Sequence, residues 1–86
     1  KMEYIMLSAD GDVLLYKVTK KVLSNFDDLL EQFFNTKTTN CYDEQLFVAF
    51  VRKEYGNNSM KFVKNLGIFT NNTIPKEYVG IKWFNF

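Results

Sequence analysis

Two β-rich runs, residues 3–8 and 13–18, flank Ala9-Asp10-Gly11-Asp12 near the start of this 86-residue chain. Asp-Gly between alternating runs is a strong short-range hairpin signal, because glycine accepts the positive φ that a tight turn requires. The chain is therefore expected to open with a β-hairpin. Along the first run Ile5 and Leu7 oppose Tyr4 and Met6, and along the second Val13 and Leu15 oppose Leu14, Tyr16 and Val18. Apolar residues thus occupy both faces. A sheet with one solvated face alternates cleanly, so the surplus calls for a central position or for a second face covered by a partner.

Ser24 followed by Asp27 reads as an N-cap with a first-turn acid, and Phe26, Leu29, Leu30, Phe33 and Phe34 follow at helical spacing. This predicts an amphipathic helix over about residues 25–35. Asp27, Asp28 and Glu31 complement its macrodipole. As acid–base groups they lack an apolar or cationic neighbour that would perturb them, so they read as a solvated face. Residues 36–43 read as a polar loop. The next run, Gln45-Leu46-Phe47-Val48-Ala49-Phe50-Val51, is continuous and of strand length. Its β-branched and aromatic content favours a buried strand. A helix over 43–55 competes, since periodicity alone does not separate the two. Gly56-Asn57-Asn58 marks a turn, after which Ser59 would cap a short helix carrying Met60, Phe62, Val63 and Leu66 and ending at Gly67. A loop over 69–76 contains Pro75, and Tyr78-Val79-Gly80-Ile81-Lys82-Trp83-Phe84-Asn85-Phe86 reads as a closing strand. Alternation puts Val79, Ile81 and Trp83 on one face and Lys82, Phe84 and Phe86 on the other.

Nine Phe, five Tyr and one Trp in a chain that is 47% apolar exclude a disordered segment and exceed what one small core hides. The net charge is +1 and the eleven basic residues are scattered, without the basic stripe that nucleic-acid binding needs. Cys41 is the single cysteine, so no intrachain disulfide forms, and a reducing compartment, cytoplasmic or nuclear, is expected. With no His in the chain, Cys41 has no histidine to activate it as a nucleophile and reads as a loop thiol. No apolar run approaches the roughly 20 residues of a membrane span, and no signal peptide opens the sequence. Asn57-Asn58-Ser59 and Asn71-Asn72-Thr73 match the glycosylation pattern but read as polar turns. Four scattered glycines build no phosphate-cradling loop, and neither a cofactor nor a metal site is implied.

The expected order is hairpin, long helix, strand, short helix, strand, in one α+β domain spanning 1–86. One helix across a sheet that holds an N-terminal hairpin and a C-terminal strand is the layout of the β-grasp, or ubiquitin-like, fold. There the last strand lies at the centre of the sheet, parallel to the first.

At Glu44-Gln45-Leu46-Phe47-Val48 the chain resembles the autophagy-related protein 12 family of ubiquitin-like modifiers, whose third strand opens with such a phrase. The likeness extends to the Lys-rich Lys17-Val18-Thr19-Lys20-Lys21, to the Phe26-x-x-Leu29-Leu30 helix pattern, to the segment 59–66 and to the closing strand. Conjugated members end in an aromatic followed by glycine, whereas this sequence ends in Trp83-Phe84-Asn85-Phe86. The resemblance therefore implies the glycine-less form, which binds autophagy-related protein 5 noncovalently. Such a pair is a non-catalytic, ligase-like scaffold that promotes transfer of the lipid-anchored autophagy modifier from its conjugating enzyme to phosphatidylethanolamine. Trp83, Phe84, Phe86 and Lys82 are the residues expected to bind that partner, with core packing the competing role for Trp83. Tyr16 and Lys17 are those expected to meet the conjugating enzyme, although Lys17-Val18 stands where the family often has Lys-Trp.

Two other binding modules compete. Residues 43–86 would form a winged-helix DNA-binding unit if 43–55 and 59–66 were helices and 78–83 a wing; the weak charge disfavours it. A PB1-type interaction domain would show an acidic cluster or a paired basic residue, and neither stands out in the sequence. An enzyme is the least supported class.

Overall fold

A computed structural model describes residues 2–36 and 43–86; Cys41 and most of the polar loop read at 36–43 lie outside them. Strands β1 (Met2–Ser8) and β2 (Leu14–Thr19) form the expected antiparallel hairpin, registered from Met2 opposite Thr19 to Leu7 opposite Leu14. The positive φ in its turn belongs to Asp10, at 57°, and not to Gly11. Asp is among the few residues with a side chain that visit this region readily.

Thr19 ends β2 and starts a helical turn, α1 (Lys20–Ser24), by accepting the Val22 N–H on its hydroxyl at 3.3 Å. The Lys-rich segment is thus half strand and half helix. The expected long helix is α2 (Phe26–Thr36), but Ser24 does not cap it. Asn25 stands between the two helices and its carbonyl takes the Leu29 N–H at 2.9 Å. Its amide donates to the Lys21 carbonyl and to the Tyr55 hydroxyl.

Residues 45–51 are not a strand. They lie within α3 (Glu44–Tyr55), which Asp43 caps by accepting the Gln45 N–H at 2.8 Å and Gly56 ends at φ 99°. Phe47, Val48 and Val51 are buried while Gln45, Ala49 and Lys53 are exposed, the spacing of one helix face. Cap, stop and the basic last turn, Arg52 and Lys53, outweigh a composition that favours strand.

The segment at 59–66 reverses the expectation in the other direction. It contains strand β3 (Met60–Asn65), antiparallel to β2. Ser59 caps nothing; its hydroxyl donates to the Gly56 carbonyl at 2.6 Å and tightens the turn out of α3. The register shifts so that Tyr16 faces Phe62 and Leu15 faces Lys64, leaving Val63 as the extra residue of a bulge. That inserted residue breaks the two-residue alternation and produces the 60, 62, 63, 66 spacing that mimics a helix. With a strand here, the winged-helix unit lacks its second helix.

Strand β4 (Lys82–Asn85) pairs with β1 in parallel, Ile5 opposite Lys82 through Ser8 opposite Asn85. It is shorter than expected, because residues Lys76–Tyr78 form a 3-10 turn and Gly80 takes φ 91°. The sheet order is β3-β2-β1-β4, so β4 lies at an edge and not at the centre. The architecture is a compact α+β fold with a mixed four-stranded sheet and three helices.

Both faces of the hairpin are covered, and by this chain itself. Ile5, Leu7, Tyr16, Val18 and Met60 meet α1, α2 and α3 in the main core, where Phe33 and Phe47 stack edge to face at 5.4 Å. On the opposite face Met6, Val13 and Leu15 lie beneath Leu66, Phe69, Tyr78, Ile81 and Trp83. Backbone bonds of 2.8 Å, Val13 N–H to the Gly67 carbonyl and Leu66 N–H to the Val13 carbonyl, fasten this second layer to β2. Among the described residues no helix is long and apolar enough to cross a membrane.

Phe47 is fully buried and touches the rings of Phe26, Phe33 and Phe86, so Phe47→Ala is expected to cost about 3–5 kcal/mol in urea unfolding. Ala49→Pro, on the exposed side of α3, is expected to cost about 3 kcal/mol or more by breaking a helix, together with a loss of helical circular dichroism.

Candidate functional site

The aromatics of β4, and Phe86 directly after it, divide between the two layers. Phe86, 6% exposed, lies in the main core with its ring 5.3 Å from that of Phe47, and its N–H donates to the Ser8 carbonyl at 2.7 Å. Phe84 is half-buried between Phe86, at 4.8 Å, and Phe34, at 5.9 Å. Lys82 is exposed; its ammonium meets Asp27 Oδ1 at 2.9 Å and stands 5.6 Å from the Phe26 ring centre. A surface pair of this kind is worth about 0–1 kcal/mol. Of the residues expected to bind a partner, Phe86 is thus packed inside the core. Phe84 largely closes the core, Lys82 is free only beyond its ion pair, and Trp83 faces the second layer. The pleat sends Phe84 and Phe86 to the side where the helices are.

Trp83 begins a polar chain that ties β1, the hairpin turn and β4 together. Its Nε1 donates to Ser8 Oγ at 3.0 Å, and Ser8 Oγ donates to Asn85 Oδ1 at 2.8 Å. The Asp10 N–H donates to the same oxygen at 2.8 Å, while Asn85 Nδ2 donates to Asp10 Oδ1 at 2.9 Å. Asn85 thereby holds Asp10 in its positive-φ conformation. Beside this network opens a cleft of about 640 Å³, walled by Ile68, Phe69, Ile74, Ile81 and Trp83. Phe69 packs edge-on against Trp83 at 5.2 Å. Among the described residues Asp10 is the only ionisable one on its lining. Sequence reasoning missed Ser8, Asp10 and Asn85 as a group, since 75 residues separate the turn from its partner and nothing local marks the pairing.

The second surface lies on β2 and β3. Tyr16 is buried, packs edge-on against Phe62 at 5.8 Å and accepts from Gln45 Nε2 at 3.0 Å, so it is not available to a conjugating enzyme. Burial pushes its phenol above the ordinary value of 10.0, reinforced by Glu44 and opposed by the Gln45 hydrogen bond and Arg52. Lys17 is exposed, and the register sets it directly opposite Lys61 on one side and Tyr4 on the other. Phe62 and Val63 are 53% and 43% exposed on this edge strand, a patch hidden from sequence reasoning by the helix assignment. Arg52 Nε closes one end of the edge by donating to the Met60 carbonyl at 2.9 Å.

Among the described residues no group of three or more His, Cys, Asp or Glu is arranged to hold a metal ion. Comparison with protein-family models, curated proteins and solved structures finds no match for this chain.

Ser8→Ala leaves the Trp83 indole N–H without its acceptor in a half-buried position. The expected loss is about 1–3 kcal/mol in chemical denaturation, with a displaced indole N–H resonance in NMR. Tyr16 contributes to alkaline behaviour. Its folded pKa is raised, so the unfolded chain loses the phenolic proton first as pH climbs past about 10. The Tyr16 contribution to stability is thus complete below pH 10 and declines above it. Urea midpoints measured between about pH 8 and 11 are expected to fall less steeply for Tyr16→Phe than for the parent chain.

Proposed function

We propose that this chain is a noncatalytic protein-binding module that docks an acidic partner along β3 and the adjoining end of β2. One observation carries the reading: Lys17 and Lys61 stand directly opposite on one face of adjacent strands, and Phe62, on the other face with Tyr16, is exposed at the same sheet edge together with Val63. Like charges directly opposed across strands destabilise a sheet. An acidic partner surface relieves that repulsion, and the neighbouring aromatic supplies apolar area of the kind that anchors interfaces. Edge lysines also deter strand pairing between copies of a protein. That role alone does not account for a half-exposed Phe and Val between Lys61 and Lys64.

The specific form of the proposal is a ubiquitin-like, β-grasp-like module in noncovalent complex with autophagy-related protein 5, serving as a scaffold for lipidation of the autophagy modifier. The parallel pairing of β4 with β1 and the helices gathered on one face support it. The placement of Glu44-Gln45-Leu46-Phe47-Val48 in α3 and of β4 at a sheet edge counts against it. The binding reading stands without the autophagy partner, on the surface of β3.

Co-expression with autophagy-related protein 5 tests the specific form: a complex stable in native size exclusion and separated in denaturant supports it, and absence of a complex removes it. Against whichever acidic partner binds, Lys17→Glu combined with Lys61→Glu is expected to weaken binding at least roughly tenfold, and Phe62→Ala by a comparable factor. Both variants are expected to keep the parent unfolding free energy within about 1 kcal/mol. Unchanged affinity in both variants overturns the β3 assignment.

A further inference from the structure

The cleft beside Trp83 combines two features that the fold alone does not require. Its walls are aromatic and aliphatic, and among the described residues its single ionisable group is an acid, Asp10. Asp10 Oδ1 already accepts from the Asn85 amide, which fixes the carboxylate in place, and among the described residues no basic side chain is bonded to it. Trp83 is equally fixed, because its Nε1 is bonded to Ser8 and its ring is buttressed by Phe69. A carboxylate and an indole are therefore held on one short hydrogen-bonded chain, Trp83 to Ser8 to Asn85 to Asp10, at the rim of one open cleft.

We propose that this cleft binds the guanidinium group of an arginine side chain. A flat cation suits both elements: it stacks on an indole face by cation–π attraction and forks its N–H groups onto a carboxylate. A lysine ammonium meets the charge but lacks the plane and the fork. Anions are disfavoured by Asp10, and a purely apolar ligand leaves that carboxylate facing a wall it displaces from water. A volume of about 640 Å³ exceeds one side chain and leaves room for the peptide that carries it.

The site is separate from the basic patch on β2 and β3. Lys17 faces Tyr4 on β1, whereas the cleft begins at Ser8, four residues along the same strand and roughly 13 Å away. The proposal does not depend on the partner of β3, and it tests independently.

The experiment uses the intrinsic fluorescence of Trp83, the single tryptophan of the chain, titrated with N-acetyl-arginine amide, N-acetyl-lysine amide and the neutral isostere N-acetyl-citrulline amide. The arginine derivative is expected to perturb the emission saturably, with citrulline and lysine each binding roughly tenfold more weakly. Asp10→Asn keeps an oxygen for the Asn85 amide and tolerates the positive φ, so the fold is retained while arginine binding falls by a similar factor. Urea unfolding of that variant verifies retention of the fold, and the indole N–H resonance provides a second readout at the same residue. Equal binding of citrulline, equal binding of lysine, unchanged affinity in Asp10→Asn, or no saturable response to the arginine derivative each overturns the assignment.

Discussion

Parallel pairing of β4 with β1 is the contact on which the remainder of this structure depends. It adds a fourth strand to a hairpin that has apolar side chains on both faces, and in doing so delivers Phe86 to one layer and Trp83 to the other. Side chains alternate with a period of two, so a slip of one residue would send Trp83 toward the helices and Phe84 and Phe86 into the loop layer. The polar chain from Trp83 through Ser8 and Asn85 to Asp10 fixes that register, since each bond joins positions about 75 residues apart or their immediate neighbours in the pairing. Hydrogen bonds of this type add only about 1 kcal/mol each to stability. Their larger effect is to exclude the alternative registers.

With β4 in place, β1 is paired on both edges and covered on both faces, and Ile5, Met6 and Leu7 are wholly buried in succession. Three consecutive buried residues are what a central strand between two layers requires. The second layer is an irregular segment, residues 66–81, held by the Val13 backbone and by apolar contacts. Because irregular chain packs less evenly than a helix, it leaves a cleft at the end of the sheet where Trp83 and Asp10 meet. On the helical side the rings of Phe33 and Phe47 interlock with Phe26, Phe50 and Phe86, and the cleft beside Leu46 and Phe50 is smaller, about 430 Å³.

The hairpin and α2 were legible in the sequence because their signals are local: Asp10-Gly11 between alternating runs, and apolar residues three and four apart from Phe26 onward. The exchanged assignments at 45–51 and 59–66 have distinct causes. Gln45 to Val51 carries apolar residues on nearly all sides, so neither period stands out, and the deciding information sits outside the run, in the Asp43 cap and the Gly56 stop. Val63 is a bulge residue, and a bulge erases the alternation by which a strand is recognised. The excess of apolar residues on the hairpin was read correctly as requiring cover. Its source within the same chain was invisible, because Leu66, Phe69 and Ile81 belong to segments with no period at all. The aromatic residues of β4 were legible as important but not as core, since which face of the strand meets the helices is decided by pairing with β1.

That pairing also reorders the weight given to individual residues when function is inferred. Exposed aromatics suggest an interface, but the three at 83, 84 and 86 that stand out in the sequence are wholly or half-buried here, and among the described residues the most exposed aromatic ring is Phe62 on the opposite edge. Phe62 owes its exposure to geometry: it lies beyond Tyr16 on the edge strand of the sheet, and Arg52 of α3 meets that strand at the Met60 carbonyl. The two edges consequently differ in electrostatics as well as in shape. The β3 side presents Lys17 and Lys61, and the turn beside β4 presents Asp10. A molecule with a net charge of +1 can thus carry a basic surface and an acidic cleft at opposite ends of one sheet face. A separation of roughly 13 Å along β1 exceeds the Debye length of about 8–10 Å at physiological salt, so the fields of these two exposed surfaces are largely screened from one another and each acts on its own part of a partner. A partner with an acidic stretch near a single arginine would therefore satisfy both ends at once, and the linkage of the two contacts would raise its effective concentration at the second site once the first had engaged.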